Sequence, residues 1–375
     1  MIDIFSGACY AKFSRENMLR LPAYLKFTIR SGVTRILPGT LVATGVEWSA
    51  TLRGKRFSCS HLLTGDELCI NSDMTVACSC LDEDQSTVLG SLREGSLAEI
   101  VAGPTARRFR EKLARGRLPV AACRFCPGLR IVDKARAPGI SDCSFSPRSI
   151  FVENTVSCNL RCMSCPRTSL LNRRQTGMSL EDVEHVARAI GQQGVQNVWF
   201  YNWGEPFLSP TIDQELGILR NLNPGVSIRL STNGLLVNSD RKRDAALLAN
   251  HVMFSIFGST QESLVRYQRG GNFERSFTNM KELVRYRDLK GCAGARIEWK
   301  YVLFRWNDSE DLIRRAIELA SQARVDILSF RLTALPGRGI SYRYFLSDRL
   351  RRLMETREGT PNIELHGDRG LQDQM

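Results

Sequence analysis

From residue 149 onward, short apolar runs alternate with segments whose apolar residues recur every three or four positions. The first pattern suits buried strands and the second amphipathic helices, and their alternation predicts a parallel α/β fold. Strands are predicted at 149–153, 198–203, 227–231, 252–256, 296–303 and 326–332. Helices are predicted at 179–192, near 212–222 and 240–250, in stretches reaching 289, and at 309–323. Ser179 and Asp182 have capping-box spacing, which marks the start of the first of these helices. Six βα units in fewer than 200 residues make a partial, TIM-like (β/α)6 barrel.

The stretch before residue 149 lacks this rhythm and is made of short segments studded with cysteine. Pro and Gly in 136–139 mark a linker. The expected organisation is an unassigned segment at 1–50, a cysteine-rich domain at 51–145, the barrel at 146–335 and a helical tail at 336–375. Within the first segment, 16–29 is amphipathic but carries no identifiable chemistry.

Composition narrows the setting. With 43% hydrophobic and 24% charged residues, the chain has the make-up of a soluble globular protein. No apolar run approaches the roughly 20 residues that span a bilayer, so no membrane is expected. The N-terminus lacks the basic and apolar regions of a secretion signal, and the expected location is the cytoplasm. There, 12 cysteines argue for metal ligation over disulfides. The net charge of +13 is spread as scattered arginines without a stripe, so nucleic acid is not an expected partner. An anionic small-molecule substrate accounts for the charge equally well.

The chemistry concentrates at the C-terminal ends of the predicted strands, where parallel α/β folds gather their ligands. Cys158, Cys162 and Cys165 form a CxxxCxxC triplet after the first strand. Three thiolates so spaced can hold three irons of a [4Fe–4S] cube and leave the fourth iron open. A zinc knuckle is the alternative, although zinc sites usually read as paired CxxC. Gly204-Glu205-Pro206 follows the second strand, Thr232-Asn233-Gly234 the third and Gly258 the fourth.

With these motifs in register, the segment from about Ser149 to Leu332 resembles the radical S-adenosylmethionine (SAM) enzymes. The resemblance implies that Cys158, Cys162 and Cys165 ligate a [4Fe–4S] cluster whose open iron is chelated by SAM. Reductive cleavage of SAM then yields a 5′-deoxyadenosyl radical that abstracts hydrogen from a substrate. It also implies that Gly204 and Glu205 hold the SAM amino group, that Ser255 lies near the ribose and carboxylate, and that Arg269 pairs with the carboxylate. Val302 and Leu303 would flank the adenine. The sequence departs from the family pattern at Ser164, where an aromatic residue is usual, at Trp203 in place of a first glycine, and at Phe257 in place of an Asp.

The N-terminal cysteines resemble a second family feature, the SPASM or shortened twitch domain that binds auxiliary [4Fe–4S] clusters. The segment 68–78 reads as a hairpin, and Cys123-Arg-Phe-Cys126 follows a basic helix. The resemblance implies Cys59, Cys78, Cys123 and Cys126 as ligands of one auxiliary cluster, with Cys80 the rival of Cys78. A zinc site built on the same four thiols is the alternative. In most relatives this domain follows the barrel, whereas here it precedes it.

The expected function is radical oxidation or dehydrogenation of a small molecule, sugar-like or cyclitol, with an electron donor of the flavodoxin or ferredoxin type. A peptide-modifying maturase that cross-links or epimerises its substrate is the first alternative. A zinc and nucleic-acid-binding protein without enzymatic activity is the second. No substrate-side acid, base or hydrogen donor is identifiable, and Cys9, Cys69, Cys143 and Cys292 have no assigned role.

Overall fold

A computed structural model describes residues 39–136, 143–170, 173–333, 336–359 and 361–366. Cys9, the amphipathic stretch 16–29 and most of the linker lie outside the described residues.

The cysteine-rich region carries strands β1 (Lys55–Cys59), β2 (Leu68–Ile70), β3 (Thr75–Ala77), β4 (Val88–Ser91) and β5 (Leu129–Asp133). β1 pairs antiparallel with β5, while β2, β3 and β4 form an antiparallel meander. The later strands are β6 (Ser149–Val152), β7 (Arg161–Cys162), β8 (Asn197–Trp199), β9 (Ser227–Thr232), β10 (His251–Ser255), β11 (Gln268–Arg269), β12 (Arg296–Val302), β13 (Ile327–Arg331) and β14 (Asn362–His366). Six of these match the predicted barrel strands, and Leu180–Gln192, Ile212–Leu222 and Glu310–Ala323 match predicted helices.

The large sheet has ten strands in the order β14-β13-β12-β10-β9-β8-β6-β2-β3-β4. The six predicted strands are parallel, and two more extend them. β14 adds to one edge, parallel to β13, and β2 adds to the other, parallel to β6. The tail expected to be helical therefore holds two short helices, Tyr342–Leu346 and Asp348–Leu353, and then a strand. Its Asn-Ile-Glu-Leu-His alternation is a strand pattern that five residues after a turn make inconspicuous.

Alternation along the strands separates two faces. Ile297, Trp299 and Tyr301 of β12 are fully buried in the core under the helices. Val183, Val186, Ala187 and Ile190 of helix Leu180–Gln192 pack into the same core. That helix is held at its start by the predicted capping box, with Ser179 and Asp182 each bonding the other's backbone. Burying one such side chain contributes about 1.5–3 kcal/mol, so this shared core fixes the strands that carry the site. The opposite face lines the lumen of the partial barrel.

Candidate active site

The three-cysteine loop runs from the end of β6, and its thiols are partly buried. Three later βα connections grip it. β7, within the loop, pairs antiparallel with β11, and the Met163 amide donates to the Tyr267 carbonyl at 2.9 Å. The Glu205 amide donates to the Ser157 carbonyl at 2.8 Å, and Asn233 Nδ2 donates to Asn159 Oδ1 at 2.8 Å. Gly204 makes this approach possible, because a Cβ at that position would overlap the Thr155 carbonyl oxygen. Three accessible thiols on a rigidly held loop, with no fourth protein ligand in the motif, suit a [4Fe–4S] cluster with one open iron.

The residues expected to contact SAM divide into two groups. Glu205 is buried, and its carboxylate accepts from Thr232 Oγ1 at 2.8 Å and from the amides of Asn233 at 2.7 Å and Phe207 at 3.2 Å. Burial raises the pKa of this carboxyl, and those donors together with Lys242 pull it back. Glu205 thus clamps the ends of β8 and β9 together. Ser255 is on the lumen face, where its hydroxyl lies 3.1 Å from that of Ser231. Arg269 is exposed and stands opposite Arg161 in the β7–β11 pairing, beside the cysteine loop. Val302 is partly buried on the lumen face of β12. Leu303, expected beside it, is fully buried in the helix-side core, since consecutive strand residues point to opposite faces.

Below the mouth the lumen is polar. The rows that face it include Arg229 and Ser231 of β9, His251 and Ser255 of β10, Glu298 and Lys300 of β12, and Ser329 and Arg331 of β13. Glu298 is buried and accepts from Arg331 Nη2 at 2.9 Å and from the Ser329 hydroxyl, with His251 Nε2 2.9 Å from its other oxygen. Burial opposes its ionisation, but His251, Arg331 and Ser329 overcome that and hold the carboxyl well below the usual range. Arg229, one level below Glu298, is exposed. On the side nearer β2, Cys69 and Phe151 pack with the partly buried Trp199, Tyr201 and Cys80.

The N-terminal cysteines sort by face. Cys59 ends β1, Cys78 follows β3, and Cys123 and Cys126 flank a tight turn in which the Cys126 amide donates to the Cys123 carbonyl. Burial pushes the Cys59 thiol up to about 12, reinforced by Cys126 and Cys123. Burial likewise raises Cys78, with Cys59, Cys123 and Cys126 adding to it. Burial also raises Cys123, up to about 11, whereas at Cys126 burial is outweighed by the pull of His61 and the thiol is lowered. The four mutually interacting thiols therefore face one volume, with one of them primed to ionise. That donor set fits a closed [4Fe–4S] cube. His61 stands beside it, with Nδ1 3.0 Å from the Cys78 carbonyl and Nε2 3.3 Å from Glu67. Cys80 lies elsewhere, in the lumen-side cluster with Cys69. Cys143 donates to the Leu62 carbonyl, and Cys292 is exposed ahead of β12.

Several residues that shape the site belong to no sequence motif. Gln268 accepts from the Phe257 amide and donates to the Ser255 carbonyl, both at 2.8 Å. Asn307, fully buried, donates to the carbonyls of Phe257 and Val302, both at 2.9 Å. These single amides carry no pattern. The lumen residues did carry one: Glu298, Lys300 and Val302 alternate with Ile297, Trp299 and Tyr301. An interior parallel strand buried on both faces reads as continuously apolar, so charge on alternate positions marks a wet lumen.

The family model of the radical SAM superfamily matches residues 152–293, and that of an iron–sulfur cluster-binding domain, SPASM, matches 59–127. No curated protein matches the chain. Among solved structures, Streptococcus suis SuiB bound to precursor peptide SuiA is 16% identical, with a TM-score of 0.45 over 73% of this chain and 55% of that one. Native anSMEcpe with bound AdoMet is 18% identical, with a TM-score of 0.37 over 48% and 50%. BtrN in complex with AdoMet and 2-DOIA is 21% identical, with a TM-score of 0.25 over 29% and 45%. The chain spans about half the length of these proteins. It belongs to the radical SAM superfamily, and a SPASM-type iron–sulfur domain precedes its barrel.

Proposed function

We propose that this radical SAM enzyme modifies a residue of a peptide at an unactivated C–H bond. One observation carries the choice of a peptide over a small molecule: the polar lumen wall stays in contact with solvent at the exposed Arg229. Radical chemistry requires water to be kept from the reacting carbon, and a small ligand in such a lumen leaves that task undone. A chain laid across the mouth with one side chain inserted closes it. SuiB, in its complex with SuiA, holds a precursor peptide, a ligand of this kind.

In this reading Cys158, Cys162 and Cys165 hold the SAM-binding cluster, and Cys59, Cys78, Cys123 and Cys126 hold the auxiliary one. Bound together, SAM and its cluster supply the 5′-deoxyadenosyl radical that removes hydrogen. The chain's own part is positional. Gly204 and Glu205 fix the cysteine loop against β8, Ser255 offers a hydroxyl at the rim, Arg269 offers a guanidinium beside the loop, and Val302 offers an apolar wall. Cys59, Cys78, Cys123 and Cys126 would place beside the barrel a cluster able to supply an electron acceptor or a substrate ligand, and the electron that starts the cycle would come from a flavodoxin- or ferredoxin-like donor.

Reconstituted protein incubated with SAM and dithionite is expected to release 5′-deoxyadenosine, and the Cys162→Ala variant to release none. Equal yields from the two would overturn the enzymatic assignment. A peptide pool added to the wild-type reaction is expected to show a mass change that a pool of sugars and cyclitols does not.

A further inference from the structure

Lys300 is the feature of the lumen that its surroundings leave unexplained. It sits on the lumen face of β12, in register between Ser255 of β10 and Ser329 of β13. Among the described residues its ammonium has no hydrogen-bond or ion-pair partner, although the side chain is partly buried. Its nearest carboxylate, Glu298, is already engaged by Arg331, Ser329 and His251. Arg331 stands one strand away at the level of Val302, with Nε 3.3 Å from the Ser329 hydroxyl and Nη2 on Glu298. Burial pushes the lysine down to about 8, with the Arg331 charge adding and Glu298 opposing. The group thus stays mostly charged at neutral pH. With Glu298 already engaged, the ammonium is a lumen cation without a counter-charge of its own, which an incoming anion would supply.

From this juxtaposition we infer that Lys300, supported by Arg331, binds a carboxylate of the peptide substrate inside the lumen, so that the side chain beside the reacting carbon is acidic. The inference rests on the peptide reading and names its substrate class. Glu298 is shared by Arg331 and His251, which leaves Lys300 as the cation at this level without a carboxylate of its own. A carboxylate pairs with such an ammonium through a charge-assisted hydrogen bond. Tyr201, whose hydroxyl has no hydrogen-bond partner among the described residues, lies close enough to feel the charges of Arg331 and Glu298.

The test uses the reconstituted holoenzyme under anaerobic conditions and brief acetic anhydride treatment, with lysine acetylation read by mass spectrometry. Two probes are compared, N-acetyl-aspartate N-methylamide and its neutral asparagine isostere. Once nine-tenths of the sites are filled, the aspartate probe is expected to slow acetylation of Lys300 by about tenfold. Lys281 and Lys290, outside the lumen, are expected to be unaffected. The asparagine probe and SAM alone are expected to give no such protection. Equal protection by both probes, or by neither, overturns the inference, and full protection by SAM alone reassigns the carboxylate to the cofactor and overturns it as well. In equilibrium dialysis the Lys300→Met variant is expected to lose the aspartate probe and Lys300→Arg to keep it. Retention by Lys300→Met would contradict the inference. Release of 5′-deoxyadenosine by the same wild-type preparation reports separately on the parent reading.

Discussion

Glu153 shows how much the ends of these strands ask of individual residues. It follows β6, is fully buried, and has Arg173 Nε 3.2 Å from its carboxylate. Arg173 in turn donates to the Asp82 carbonyl at 2.9 Å, so the three residues join the barrel, the cysteine loop and the SPASM-type domain. Burial pushes the Glu153 carboxyl up to about 7, against the pull of Arg173 and the Trp203 amide. A carboxyl that holds its proton longer in the folded chain makes stability fall as pH rises from the unfolded value toward the folded one. Between pH 5 and pH 7.5 the wild type is therefore expected to lose stability on the order of 1–3 kcal/mol through this group. Glu153→Gln is expected to flatten that decline in urea unfolding. Parallel slopes for the two proteins would show that Glu153 is ionised throughout the range.

At the scale of elements, the hairpin of β2 and β3 decides which cysteine serves which site. Ala77 stands opposite Cys69 on the lumen face, and Cys78 turns the other way, toward Cys59 and the Cys123–Cys126 turn. Sequence spacing left Cys78 and Cys80 as rivals because it cannot say where a short strand stops alternating. Cys126→Ala is expected to lower the iron content from about eight to about four per chain. Cys80→Ala is expected to leave it near eight, with the spectrum near 400 nm unchanged. Iron loss in Cys80→Ala equal to that in Cys126→Ala would return Cys80 to the ligand set.

Across the whole molecule, the six-strand rhythm was legible because each strand and helix is long enough to show its period. β12, for example, runs seven residues and helix Glu310–Ala323 fourteen. The cysteine triplet and Gly204-Glu205 were legible because their chemistry is carried by local spacing. Missing from the sequence were the partners made across it: Gln268 with Ser255, Asn307 with Val302, Glu298 with His251. Missing too was the fate of β2, three residues long, whose Leu68, Cys69 and Ile70 lie parallel to Ile150, Phe151 and Val152. Because this pairing makes one sheet of two regions, their amides are expected to open together in hydrogen exchange. Early opening of Leu68–Ile70 with Ser149–Val152 still protected would show two independent units.

The same pairing sets a timetable for synthesis. β2 leaves the ribosome about 80 residues before the strand that covers its edge, which at ordinary elongation rates is a wait of about 4–16 s. Throughout that interval the hairpin presents an open, apolar edge of the kind that recruits foreign strands. β4, at the far end of the meander, cannot shield it, since β3 lies between them. Chains halted on the ribosome before residue 149 are therefore expected to show Leu68–Ile70 more open to added strands than the full chain does, and equal reactivity of the two would show that β3 and β4 suffice to close the hairpin.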